Sequence, residues 1–129
     1  MDRPGAHSIL ILEDEPLIAL DLEQIVAEAG FVAVSTFTTR QNAKIWLTAQ
    51  SPDVALIDIF LEDDRCSDVA LALKERGVPF IVCSASAKRD AEDIFRTGVW
   101  LSKPFLPRDV IGALREVRHM KNDGRPHAL

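Results

Sequence analysis

No apolar run in this sequence approaches the ~20 residues that a membrane-spanning helix needs, so nothing in it reads as a membrane anchor. The first residues, Met1-Asp2-Arg3-Pro4-Gly5, lack an apolar signal region, and a cytoplasmic location is expected. An excess of basic residues is missing as well. The formal net charge is −5, which argues against a nucleic-acid surface. Cysteine is scarce: Cys66 and Cys83 stand at a spacing that matches no metal or redox motif. Cys83 sits inside an apolar run and reads as a small buried hydrophobe. Internal repeats and low-complexity segments are absent.

What remains is a chain of 129 residues, 47% hydrophobic and 27% charged, the profile of one ordinary globular domain able to bury a core without staples. Its most informative stretch is Ser8-Ile9-Leu10-Ile11-Leu12-Glu13-Asp14-Glu15-Pro16. Four apolar residues in a row suit a strand buried on both faces, as in a parallel sheet. Pro16 suits the first turn of a following helix, where its missing N–H is no loss. Three carboxylates therefore lie at the carboxyl end of a buried strand, the edge where open α/β sheets bind ligands. Clustered acids repel unless a positive group shares the site, and a hard cation such as Mg²⁺ is the simplest candidate.

The rest of the chain repeats that grammar. Leu17, Ile18, Leu22, Ile25, Val26 and Ala29 recur at helical spacing, and Gly30 stops the helix. Phe31–Val34 predicts a second strand; Thr38 or Thr39 caps a second helix with Ala43, Trp46 and Leu47 inward. Asp53–Asp58 predicts a third strand, again ending in a carboxylate. A polar loop covers Glu62–Ser67, with Ser67 as cap of a helix closed by Gly77, and Pro79–Ser84 predicts a fourth strand. Ala85–Arg96 holds at most a short helix, Val99–Leu101 a fifth strand, and Asp109–Met120 a final amphipathic helix. The expected domain spans residues 7–120, with flexible termini at 1–6 and 121–129. Five alternations of strand and helix imply an α/β fold with a doubly wound parallel sheet, every strand ending on one edge.

That edge collects Glu13 and Asp14 from the first strand, Asp58 from the third, Ser84 from the fourth and Lys103 beyond the fifth. Taken singly, each has a plain reading: the acids as a helix start favoured by the macrodipole, Asp58 and Ser84 as loop residues or caps, Lys103 as a surface lysine. Taken together they are not plain. Acids bind a cation, whereas a lysine and a hydroxyl bind an anion, and both are needed where a phosphoryl group meets a metal.

At these residues the sequence resembles the receiver domain of two-component response regulators, over about residues 7–120. Ile11-Leu12-Glu13-Asp14-Glu15-Pro16 matches the family's acidic-pair motif, Ala55-Leu56-Ile57-Asp58 its phosphoacceptor strand, Ser84 its hydroxyl position and Lys103-Pro104-Phe105 its lysine–proline motif. Glu13 through Leu22 is similar to stand-alone single-domain regulators of alphaproteobacteria. The resemblance implies a flavodoxin-like (βα)5 fold and a cytoplasmic phosphorelay protein. Asp58 would accept a phosphoryl group from a histidine kinase or histidine phosphotransfer protein. Asp14 and Asp58 with the Phe60 carbonyl would hold Mg²⁺, Glu13 acting through water. Lys103 and Ser84 would bind the phosphoryl oxygens. Ser84 and Trp100 would form the switch, the indole turning inward as Ser84 moves. The resemblance also implies a cis Lys103–Pro104 peptide, and an output face of fourth helix, fifth strand and fifth helix that binds a protein partner, or another copy in a weak dimer.

The sequence departs from the family in two places. Ile59-Phe60-Leu61-Glu62-Asp63-Asp64-Arg65-Cys66-Ser67 lacks the proline and glycine usual after the acceptor, and its acids could compete for the metal. Phe60 is expected to shield an acyl phosphate from water. Only 19 positions separate Lys103 from Ser84, so the fourth helix should be short or displaced. With no room for an output domain after residue 120, signalling is expected through protein–protein contact, without enzymatic turnover. The alternatives are a pseudo-receiver that binds partners without phosphorylation, and an aspartyl phosphohydrolase. The hydrolase is disfavoured because Phe60 stands where such enzymes commonly carry a general acid.

Overall fold

The structure, a computed structural model, describes residues 8–61 and 63–123, with side chains described through Met120. The elements are β1 (Ser8–Leu12), α1 (Pro16–Glu28), β2 (Ala33–Phe37), α2 (Arg40–Leu47) and β3 (Val54–Asp58), then a two-strand ribbon of β4 (Phe60–Leu61) and β5 (Asp64–Arg65). They continue as α3 (Ser67–Glu75), β6 (Phe80–Ser84), a 3₁₀ turn (Lys88–Asp90), α4 (Asp93–Arg96), β7 (Val99–Ser102) and α5 (Pro107–Asp123). Five strands form one parallel sheet in the order β2-β1-β3-β6-β7, the doubly wound arrangement that the alternation implies.

Strand alternation divides the core between the two faces. Ile9, Ile11, Leu56, Ile81 and Val99 point toward α1 and α5, where Leu22, Val26, Val110 and Val117 meet them. Leu10, Leu12, Ile57, Phe80 and Val82 point the other way, onto α2, α3 and α4 through Ala43, Val69, Leu73 and Phe95. Burial on both faces is why β1 and β3 read as unbroken apolar runs. Two glycines are fixed by this packing. Gly77 ends α3 at φ +72°, a conformation that costs other residues energy. Gly98 lets the backbone lie against Phe80, whose ring carbons would sit 2.6 Å from any Cβ placed there.

Several boundaries differ from the sequence-based expectation. The second strand is not Phe31–Val34 but Ala33–Phe37, because pairing with β1 sets Ser8 opposite Ala33 and Leu12 opposite Phe37. Phe31 is instead a buried plug before the strand, and an edge strand tolerates Ser35 and Thr36. Thr39 caps α2 by accepting the Asn42 N–H at 3.1 Å. Ser67 is not a cap: it opens α3, and the cap position belongs to Cys66, whose side chain makes no capping bond. The loop expected at Glu62–Ser67 contains a strand of the β4–β5 ribbon. The fourth helix is indeed short, a single turn. The α5 helix is described through Asp123, beyond the expected end at Met120, while residues 1–6 and 124–129, expected to be flexible, lie outside the described residues.

Candidate functional site

The carboxyl edge of the sheet gathers the expected groups. Register pairs Asp58 with Cys83 across β3 and β6, so Ser84 stands one residue past the level of Asp58. Ser84 in turn pairs with Ser102, and its carbonyl accepts the Lys103 N–H at 2.9 Å. The Lys103–Pro104 peptide is cis. The Lys103 ammonium reaches back over the sheet end to Asp58 Oδ2 at 2.9 Å and to Glu13 Oε1 at 2.9 Å. Glu13 is buried at the end of β1, where its amide donates to the Phe37 carbonyl at 3.0 Å and its Oε2 accepts the Glu15 N–H at 3.1 Å. Ser84, also buried, accepts the Ser86 N–H on Oγ at 3.0 Å, an arrangement in which its hydroxyl can still donate.

A cation fits this arrangement. Glu13, Asp14 and Asp58 each offer a carboxylate oxygen, and the three oxygens lie within 4.8 Å of one another. The set is all hard oxygen, as Mg²⁺ and Ca²⁺ prefer. Glu13 Oε1 is buried and lies 2.9 Å from the Lys103 ammonium, so a cation would share that oxygen with the lysine. Phe60, the fourth expected metal residue, contributes its amide to Asp58 Oδ1 at 3.2 Å; its half-exposed ring lies under the Arg65 guanidinium, 5.4 Å away. The described loop acids do not join the metal group: Asp63 accepts the Arg40 and Gln41 amides at 3.0 and 3.2 Å, and Asp64 accepts the Arg65 amide.

A profile of the response regulator receiver domain matches residues 9–115. The chain belongs to that family. The receiver is 34% identical over 132 aligned positions to the phyllosphere-induced regulator PhyR of Methylorubrum extorquens, covering 93% of this chain and 46% of that protein. It is 30% identical to the transcriptional regulatory protein PdtaR of Mycobacterium tuberculosis, covering 88% and 57%. The chain thus spans about half the length of these curated relatives. Among solved structures it is similar to SdrG from Sphingomonas melonis Fr1, at 31% identity and a TM-score of 0.78 over 89% of this chain and 98% of that one. The receiver domain of Erythrobacter litoralis PhyR gives 30% and 0.78, covering 92% and 94%. Among the described residues no helix is long and apolar enough to cross a membrane.

The electrostatics of the receiver's edge follow from how little water reaches it. Burial pushes the Glu13 carboxyl above its ordinary range, and the Asp58 charge adds to this, against the opposing pull of Lys103 and the Glu15 amide. Burial alone would lower the Lys103 ammonium, but its contacts with Asp58 and Glu13 outweigh that and hold it above its ordinary value. Trp100 lies on β7, half-buried against the α3–α4 side of the core. Two contributors had no signature in the sequence. Cys66 donates its thiol to the Asp58 main-chain carbonyl at 3.0 Å, a contact across eight positions that no local pattern announces. Arg65 bridges to Glu92 at 3.6 Å, tying the ribbon to the α4 segment.

Proposed function

We propose that this receiver is a phosphoryl-accepting switch of a two-component phosphorelay, modified on Asp58. The observation that carries the reading is the Lys103 ammonium held at 2.9 Å from both Asp58 and Glu13, beside the three-carboxylate group. An Asp58 oxygen attacks the phosphorus of a phosphohistidine; the O–P bond forms as the N–P bond breaks, and the imidazole leaves. Two anions meet in that step, and Lys103 offsets their repulsion from one side. Glu13, Asp14, Asp58 and the Phe60 carbonyl are the groups that would hold Mg²⁺, which when bound supplies the remaining charge neutralisation. Ser84 then donates its proton to a phosphoryl oxygen. Because Lys103 N–H is bonded to the Ser84 carbonyl, movement of Ser84 pulls on the segment that leads back to β7 and Trp100.

The receiver domain is taken as residues 7–120 of a cytoplasmic protein. Its donor is a histidine kinase or histidine phosphotransfer protein, and its output is a protein bound at α4, β7 and α5. The test is intact mass after incubation with acetyl phosphate and Mg²⁺, for wild type and Asp58→Ala. A metal-dependent gain of one phosphoryl group, lost in the variant, is expected. No gain, from acetyl phosphate or a phosphorylated phosphotransfer protein, would leave a binding module that works without phosphorylation. In a Trp46→Phe background, Trp100 fluorescence should change on stoichiometric phosphorylation; an unchanged spectrum refutes its switch role.

A further inference from the structure

Cys66 has no part in the phosphoryl chemistry, yet it is pinned against the backbone of the nucleophile. Its thiol donates to the Asp58 carbonyl at 3.0 Å and its amide donates to the Ile59 carbonyl at 3.2 Å. A third bond, from the Phe60 amide to Asp58 Oδ1 at 3.2 Å, closes the same short stretch. The side chain is completely buried, and burial, with the nearby Asp58 charge, pushes the thiol up, so it remains a protonated donor. The β4–β5 ribbon is what returns the chain to this point, pairing Phe60 with Arg65 so that Cys66 comes back beside Asp58. The ribbon is itself held on two sides, by Asp63 on the first amides of α2 and by Arg65 on Glu92.

The stretch Ile59–Ser67 contains neither proline nor glycine to set its φ angles, and it turns at Asp64 with φ +153° instead. Strand pairing places Asp58 and Phe60, and the Cys66 contacts are what tie the backbone between them. The ligand that this stretch would serve is the cation fitted by the neighbouring carboxylates: Glu13, Asp14 and Asp58 offer oxygens within 4.8 Å of one another, with the buried Glu13 Oε1 2.9 Å from the Lys103 ammonium. We propose that Cys66 is a positioning residue for the candidate metal site: its thiol and amide fix the Asp58–Phe60 backbone, so that the Asp58 carboxylate and Phe60 carbonyl are set before a cation arrives. The inference rests on the reading of Glu13, Asp14, Asp58 and Phe60 as that site.

The test compares the full chain with Cys66→Ala and Cys66→Ser by Mg²⁺ titration, followed through the backbone amide resonances of the Asp58–Cys66 stretch, alongside urea unfolding without metal. Loss of one net hydrogen bond should weaken Mg²⁺ binding about three- to five-fold in Cys66→Ala, while Cys66→Ser, which keeps an O–H donor, should bind close to wild type. A purely packing role would lower stability in both variants and leave the Mg²⁺ affinity alone. A folded Cys66→Ala protein that binds Mg²⁺ as wild type does overturns the proposal. Should Cys66→Ala not fold, hydrogen exchange of the wild-type Cys66 amide without metal decides: strong protection before any cation is added supports the role, and exchange that is fast until Mg²⁺ is added refutes it. Wild type that binds no Mg²⁺ also refutes it. If phosphorylation fails while the affinities split as expected, the phosphorelay reading falls and this one stands; if phosphorylation proceeds while the affinities coincide, the reverse holds.

Discussion

Replacing Lys103 by methionine keeps the aliphatic stem and removes the cation shared by Glu13 and Asp58. Both contacts are 2.9 Å, and the side chains of Lys103, Asp58 and Glu13 are 18%, 10% and 1% exposed. Breaking a fully buried pair costs about 3–5 kcal/mol, and an exposed pair about 0–1 kcal/mol. A group in which only Glu13 is sealed from water falls between, at about 2–3 kcal/mol at pH 7.5 without metal. The cost should depend on pH, with a definite sign. The Glu13 carboxyl already lies above its ordinary value in the folded state, and losing Lys103 raises it further. A carboxyl raised on folding contributes stability that is present below its unfolded value and is lost as pH rises through the folded one. The difference between variant and wild type should therefore be small near pH 4 and grow toward pH 7.5. Mg²⁺ should stabilise the variant more than wild type, since the oxygens Lys103 occupied are then free. Urea unfolding followed by circular dichroism, at both pH values with EDTA or MgCl₂, measures all of this. A cost that is the same at both pH values, or below about 0.5 kcal/mol throughout, would refute the coupling of the three groups.

Asp68 holds Arg40 and Lys44 at 2.7 and 3.0 Å; its burial opposes ionisation, but these cations prevail and lower its carboxyl. Asp68→Asn should cost about 1 kcal/mol or less at neutral pH, an effect lost as pH falls through the folded value, and a cost that does not fall once acid has protonated the carboxyl would refute the assignment. Gly98→Ala forces a Cβ to within 2.6 Å of the Phe80 ring and 2.8 Å of its carbonyl oxygen, so unfolding free energy should drop by about 1–3 kcal/mol; an unchanged Tm would show that β7 can yield. Phe60→Ala should shorten the lifetime of an acyl phosphate on Asp58, read by mass after donor removal, and an equal lifetime would end the shielding role.

The parts of this receiver legible in the sequence are those where one residue type answers one local demand. Ile9 through Leu12 and Val54 through Ile57 announce strands buried on both faces, because nothing polar survives there. Glu13, Asp58, Ser84 and Lys103 were legible because they interrupt apolar runs at the same end of successive strands, and parallel connection brings those ends together. Legibility fails where the deciding contact is remote. Phe31 and Val32 look like strand, yet the β1 register starts the strand at Ala33. Two-residue strands such as Phe60–Leu61 are too short to show a period. Asp93–Arg96 makes one turn, held by the burial of its own Phe95 in the core rather than by helix propensity. Cys66 gave no sign of its bond to Asp58, because a buried thiol looks the same in sequence whether it fills space or donates.

The charge balance at the sheet edge connects the resting structure with the proposed switch. Among the described residues, Lys103 is the cation paired with Glu13 and Asp58 beside Asp14, in a site that little water reaches. Burial first, and the Asp58 charge second, raise the Glu13 carboxyl above its ordinary range despite the pull of Lys103. A divalent cation held there would supply the charge that is lacking. A phosphoryl group on Asp58 would then disturb a balance already met, adding negative charge and strong acceptor oxygens. The donors positioned to answer are Lys103, already at Asp58, and the Ser84 hydroxyl, which accepts the Ser86 amide and can still donate. Because that serine's carbonyl also carries the Lys103 amide, both donors sit on one hydrogen-bonded link, and a shift in either is transmitted to β7 without a longer relay.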